Sequence, residues 1–425
     1  MDRPDHAAEL LGVMERIYRY RMTTTSGGNL SIREENGDIW ITPAGVDKGG
    51  LRVEDMVCVR DDGTAAGTRR PSSELPFHQA IYARRPDLRA IVHAHPVALV
   101  AFSLVHRVPD TRLFHQARHV CGEAGFAPYE LPGSAALGEN VAATFAKGFD
   151  CVILENHGVV TAGESLPEAF RRFETLEFTA KTIVKAGLIG EVRYLSDAQI
   201  GLSRRRSTSL DEFDPFTGAA DMRHTLSGFV RRAYRQRLFI STQGSFSARV
   251  DGSSFLITPY QVDRGAVDPQ DLVLVEDGRR ERGKTPSRAA GLHAAIYAEH
   301  PEIGAIVNAY PVNATAFSVT GAKLDTRTIP ESYVVVREAG RAPFGLQFTA
   351  EQELARMISD SRPALILEND GVLVTGRTPL EAFDRLEVLE STAEAIINCR
   401  AVGTLRPLSE NVTRELDAAF FGPTR

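Results

Sequence analysis

Apolar positions along this chain follow two periods, and the two alternate. AAELLGVMERIYRYRM, near the start, repeats its apolar residues at helical spacing. DIWITPA and MVCVRDDG are short apolar runs ended by turn residues and predict strands. AIVHAHP and CVILENHG are continuous apolar runs and predict buried strands, the second ended by its glycine. Residues 73–84 predict a helix. SLPEAFRRFETLEFTAKTIVKAG predicts a long amphipathic helix, with Ser165 as N-cap and Glu168 at the capping-box position. Interleaved strands and helices place the chain in the α/β class.

The same pattern is written twice. ITPAGVDKG at 41–49 returns as ITPYQVDRG at 257–265, and QAIYARRP at 79–86 as AAIYAEHP at 294–301. AIVHAHPVALVAFS at 90–103 returns as AIVNAYPVNATAFS at 305–318, and VILENHGVVTAG at 152–163 as LILENDGVLVTG at 365–376. The offset drifts only from 216 to 213, so the copies are collinear. The expected organisation is a domain over 1–200, a polar, turn-rich linker over 201–222 and a second domain over 223–425. The helical pattern HTLSGFVRRAYRQRL resumes at His224 and mirrors the first helix.

Composition narrows the partners. With 43% hydrophobic and 24% charged residues the chain is an ordinary globular one. A net charge of −6 offers no basic field for nucleic acid, and the arginines cluster only at Arg204, Arg205 and Arg206. No uninterrupted apolar run is long enough to span a membrane, and MDRPDHAAEL lacks the apolar run of a secretory signal. Cys58, Cys121, Cys151 and Cys399 have no paired spacing, and Cys58 and Cys151 sit in apolar strand-like runs. A cytoplasmic protein with core thiols is expected.

Eight of the eleven histidines lie in the first copy. His93 and His95 are two apart on a strand and project from one face, and His157 ends another strand. Three imidazoles converging with a position left open suit a catalytic divalent metal: zinc, iron, nickel or copper. An isolated histidine is more often a plain core or surface residue, but the duplication argues otherwise. The second copy has Asn308, Tyr310 and Asp370 at these positions, while the flanking Pro311, Asn369 and Gly371 stay. Ligands of one metal are lost as a block.

Glu74 went with them, since Ala289 stands opposite. A carboxylate beside a metal serves as a general base; its plainer role is a first-turn helix glutamate. Ser72 and Ser73, at the same helix start, offer hydroxyls and N–H groups to an anion, or simply cap the helix. With Asn29 of the SGGNLSIR turn and Thr42 and Gly45 of ITPAG, they would make a neutral pocket for a phosphate or carboxylate.

GNLSIR, ITPAG, PSSE, IVHAHP and ENHG together resemble the class II aldolase/adducin family, in the family's order across residues 28–158. The resemblance covers the first copy and, in degraded form, the second. It implies two tandem α/β/α three-layer units, each around a mixed, largely antiparallel sheet. It also implies Zn2+ (or Mn2+, Fe2+ or Co2+) on His93, His95 and His157, Glu74 as acid/base, and substrate phosphate on Asn29, Thr42, Gly45, Ser72 and Ser73. The implied activity is a lyase: retro-aldol cleavage of a small ketose phosphate or related hydroxyketo acid, through an enediolate stabilised by the metal. Decarboxylation, dehydration, epimerisation or oxygenation on the same scaffold are the alternatives, as is an adducin-like binding protein without chemistry. Arg118 and His119 occupy the region of the aldolase tyrosine, and Tyr333 aligns with Arg118. FFGPTR at the C-terminus has no tyrosine either. The resemblance further implies a homodimer forming a pseudo-tetramer of domains, in which Glu331, Tyr333 and Arg337 of the second copy would lend polar groups.

Overall fold

The computed structural model describes residues 5–204, 210–214 and 219–422. Arg205 and Arg206 of the arginine run, and the last three residues of FFGPTR, lie outside the described residues. The chain divides into two compact units, 1–111 with 116–181, and 112–115 with 182–425.

In the first half, α1 (His6–Arg19) leads to β1 (Asn29–Arg33), β2 (Ile39–Ile41), β3 (Val57–Val59) and β4 (Ala65–Ala66). Next come α2 (Leu75–Arg84), β5 (Ala90–Ala94), α3 (Val97–Leu104), α4 (His115–Cys121) and β6 (Ala124–Ala127). The half closes with α5 (Ala135–Phe145), β7 (Cys151–Leu154), β8 (Gly158–Gly163) and α6 (Leu166–Gly187). The strands form one sheet in the order β4-β3-β2-β1-β5-β8-β7-β6. Only β6 and β7 run parallel; the other pairs are antiparallel. A mixed, largely antiparallel sheet was expected, and it is found.

Both faces of this sheet are covered, which is why its central strands read as unbroken apolar runs. Val92 and Ile153 point into a core with Leu10 and Met14 of α1, Leu99 of α3 and Phe173 of α6. Their neighbours Ile91, Val152 and Leu154 point the other way, against Phe77 and Ile81 of α2 and Val141 and Phe145 of α5. Each fully buried phenylalanine contributes about 1.5–3 kcal/mol. The result is the α/β/α layering. Ser165 caps α6 as expected, and only the return bond of the capping box is displaced by one residue. Ser165 Oγ accepts from Glu168 N, but the Glu168 carboxylate accepts from Glu164 N at 2.9 Å.

The second half has α7 (Asp197–Leu202), β9 (Glu212–Phe213), α8 (Ala220–Arg235), β10 (Ser245–Asp251) and β11 (Ser254–Ile257). β12 (Val273–Glu276), β13 (Arg279–Glu281), α9 (Ala290–Glu299), β14 (Ala305–Ala309) and α10 (Val312–Ser318) follow. Then come α11 (Pro330–Val336), β15 (Ala339–Ala342), α12 (Leu346–Thr349), α13 (Glu351–Ala355) and β16 (Ala364–Leu367). β17 (Gly371–Gly376), α14 (Pro379–Val402) and α15 (Glu410–Phe420) end it. Its sheet runs β15-β16-β17-β14-β10-β11-β12-β13-β9, the first topology with one strand added. Registers match too: Asn29 pairs with His93, and Ser245 with Asn308. The added strand comes from the segment read as a linker. Glu212–Phe213 pairs parallel to β13 and buries Phe213, while Glu212 and Asp214 meet Arg280 and Arg282.

Candidate functional site

His93 lies on the central strand β5, where alternation turns it toward α2; its side chain is fully buried, edge-on to Phe77. His95 is the first residue past the end of β5. His157 closes the three-residue turn between β7 and β8, so Gly158 opens β8 and does not end β7. Asn156, in the same turn, adopts the left-handed backbone that asparagine tolerates. Ring centroids lie 4.8–4.9 Å apart for all three histidine pairs. Two glycines make room. A Cβ on Gly158 would meet Ala94 O and His95 Cδ2 at 2.6 Å, and one on Gly27 would meet His95 Nδ1 at 2.7 Å. SGGN is thus a close-approach turn.

One ligating atom from each histidine falls within 4.8 Å of the others, and this is the one such group of three among the described residues. His93 Nδ1 donates to Val159 O at 2.9 Å, which leaves Nε2 as a bare lone pair. His95 Nε2 faces it at 3.1 Å. Burial, then proximity to His93 and His157, lowers His95 to about 3. Burial and His93 lower His157 to about 4. Neutral imidazoles with convergent lone pairs are what a divalent metal requires, so the residues present fit one.

Glu74 is the N-cap of α2 but makes no side-chain cap bond. Its carboxylate turns to the histidines: Oε2 lies 3.2 Å from His93 Nε2, and Oε1 lies 3.5 Å from His157 Nε2. Burial raises this carboxyl, and an N–H from Asn29 works the other way. Asn29 Nδ2 donates to Glu74 Oε2 at 2.7 Å, and its Oδ1 meets His78 Nε2 at 2.5 Å. His78 Nδ1 meets Ser31 Oγ at 2.7 Å, and Ser31 Oγ meets the Tyr82 hydroxyl at 2.7 Å. All five residues are buried. Ser31, His78 and Tyr82 were missed in the sequence, though the repeat carries them as Ser247, His293 and Tyr297.

The expected anion pocket is only partly assembled by side chains. Thr42 is buried and its Oγ1 accepts from Leu30 N at 3.1 Å; Thr258 repeats the bond to Phe246 N in the second unit. That hydroxyl staples the loop to β1. Ser72 N donates to Thr42 O, and Ser72 Oγ accepts from Glu74 N. Ser73 is exposed, and Gly45 has a positive φ beside open space. Lys48, unremarked in the sequence, is buried behind this loop with Nζ donating to Pro43 O at 3.0 Å.

The second unit has closed the corresponding place with donors and acceptors. Asp370 accepts from the Tyr310 hydroxyl at 3.2 Å and Gln347 Nε2 at 3.0 Å, with His115 Nε2 at 3.4 Å. Asn308 Oδ1 meets His293 Nε2 at 2.7 Å. Tyr333 donates to Asp417 at 2.9 Å, Arg337 stacks on Phe421, and Glu331 is exposed.

Comparison with known proteins gives a family and several relatives. The family described as Class II Aldolase and Adducin N-terminal domain matches residues 8–184 and 225–397. A 3-oxo-tetronate 4-phosphate decarboxylase of Haemophilus influenzae is 34% identical over 202 residues, 45% of this chain and 93% of that protein. An L-fuculose phosphate aldolase of Methanococcus maripaludis is 34% identical over 173 residues, 41% of this chain and 93% of that protein. Among solved structures, the L-fuculose-1-phosphate aldolase of Thermus thermophilus is 28% identical, with a TM-score of 0.39, covering 44% of this chain and 96% of that one.

Proposed function

We propose, for a chain that belongs to the class II aldolase and adducin N-terminal domain family, a metal-dependent lyase reaction in its first unit. The substrate class is a small phosphorylated hydroxyketo compound. The observation that carries this reading is the meeting of three imidazole lone pairs with the Glu74 carboxylate, 3.2 and 3.5 Å from His93 and His157. His93, His95 and His157 would hold the metal, with zinc the first choice for three nitrogen ligands. When bound, the metal supplies Lewis-acid polarisation of a substrate carbonyl.

The chain's own residues supply the rest. Cleavage of the bond next to that carbonyl leaves an electron pair on carbon, and Glu74 carries a proton to or from that atom. Burial excludes water from the carboxylate. The Gly45 and Ser73 N–H groups, with the Ser72 and Ser73 hydroxyls, receive the substrate's anionic group.

Decarboxylation is the second reading, favoured by the decarboxylase relative and by the residues near α4. Arg118, where a tyrosine was sought, is paired with Glu123 at 2.7 Å and offers no phenol to a leaving aldehyde. Both readings share the metal and Glu74. A parallel assay of zinc-loaded protein with ketose 1-phosphates and with a 3-oxo-tetronate 4-phosphate separates them: aldehyde release marks the first, carbon dioxide the second. Neither product, with metal bound, overturns the lyase reading.

A further inference from the structure

The buried polar chain behind Glu74 has one consistent direction. Asn29 presents its NH2 to the Glu74 carboxylate, donating to Oε2 across 2.7 Å. The Asn29 carbonyl then accepts from His78 Nε2–H at 2.5 Å. His78 Nδ1 in turn accepts from Ser31 Oγ–H, and Ser31 accepts from the Tyr82 hydroxyl. Four donors in series end on one carboxylate oxygen, in a dry setting where each bond strengthens the next.

The second unit shows which part of this chain belongs to the fold. Tyr297, Ser247 and His293 repeat the upstream bonds at 2.8 and 2.7 Å. There His293 ends on Asn308 Oδ1, at the place of His93. Ser245 stands for Asn29 and Ala289 for Glu74. A tyrosine–serine–histidine chain therefore packs equally well with no carboxylate to serve. What is peculiar to the first unit is Asn29, set between the histidine and Glu74.

We infer that His78 is a positioning residue for Glu74, on the reading that Glu74 moves the proton. By donating to Asn29 Oδ1 it fixes which end of the amide faces the carboxylate. That ties down Oε2 and holds the carboxylate plane, with Oε1 toward His157. Without His78 the amide keeps only its bond to Glu74, and its other end is free to swing and carry the carboxylate with it.

The test uses the duplication as its control. His78→Leu in the full-length, metal-loaded protein is expected to lower kcat about 10- to 100-fold, with KM and metal content unchanged. His78→Gln, which keeps an N–H near the Nε2 position, restores most of it. His293→Leu, the same lesion in the second unit, lowers Tm to a similar extent and leaves kcat alone. Equal loss of kcat in His78→Leu and His293→Leu, or no rescue by His78→Gln, overturns the inference. If His78→Leu does not fold, Asn29→Ser, carrying the residue the second unit tolerates there, is expected to reproduce the kcat loss; an unchanged kcat overturns it. If wild type turns over no substrate offered, the lyase reading fails, and positioning is read from NMR of the metal-free protein. The Asn29 side-chain amide should exchange slowly in wild type and His78→Gln and quickly in His78→Leu. Fast exchange in wild type overturns positioning whatever the activity.

Discussion

His95 Nε2 lies 3.1 Å from His93 Nε2, while His93 Nδ1 already gives its proton to Val159 O. Two ring nitrogens that close can share a single proton or a single cation. The geometry favours the cation, because His157 completes the set and Glu74 supplies negative charge. One equivalent of metal per chain is expected on elemental analysis after reconstitution; two equivalents, or none, would contradict it. His95→Ala should lose the metal and still melt cooperatively, since an open catalytic site does not carry the core.

Glu74→Gln keeps the shape and a hydrogen-bonding oxygen but cannot take up a proton. Metal content and Tm should hold while turnover falls by roughly 10²-fold or more. Turnover at the wild-type level would leave Glu74 as a helix-start residue only.

Gly158→Ala would put a methyl 2.6 Å from Ala94 O, a backbone atom, and from His95 Cδ2. Backbone cannot yield cheaply at a central strand. A loss of about 1–3 kcal/mol in stability is expected, with weaker metal retention because His95 is the other atom displaced. Chelator competition and thermal melts read the two effects separately.

His293 is fully buried, and burial lowers it to about 4, with the Asn308 hydrogen bond pulling the other way. An unfolded histidine titrates near 6.5. The unfolded chain therefore binds the extra proton first, so stability is full above about 6.5 and falls as pH drops toward 4. Between pH 7 and 5 this site should account for about 2 kcal/mol. His78, lowered to about 3 chiefly by burial, adds a contribution of the same sign. Urea midpoints measured over that range should slope downward with acid, and His293→Gln should flatten the slope; a midpoint independent of pH would refute the assignment.

Light scattering should give twice the chain mass of 46.5 kDa if the chain is a homodimer; a monomeric mass removes that proposal. Tyr333→Phe loses a bond to Asp417. Wild-type activity in that variant would confine Tyr333 to holding α15.

The histidine triad was readable because strand alternation puts His93 and His95 on one face, and because the second copy lost all three together. The Glu74 surroundings were not. Asn29 and His78 reach each other across 49 residues, through the pairing of β1 with β5 and the packing of α2, and no local period encodes that meeting. Thr42 illustrates a different gap: its presence in the loop was evident, but its hydroxyl faces Leu30 N, a direction set by the backbone. The segment around Glu212–Phe213 read as linker because two residues are too few for a pattern, yet an open sheet edge beside β13 recruits them. Lys48 hid in a polar-looking turn whose burial comes from elsewhere in the fold.

The Asp370 cluster stands in the way of a histidine centre in the second unit. Histidine at 370 takes from the buried Gln347 amide the carboxylate it donates to, and an orphaned polar group costs about 1–3 kcal/mol. Histidine at 308 takes away the acceptor of His293, whose replacement would need asparagine at 245. Glutamate at 289 has nothing to bind until both are present. Each of these steps is unfavourable alone, so the second half's own hydrogen bonds oppose a histidine set there, and one would have to be built in one move.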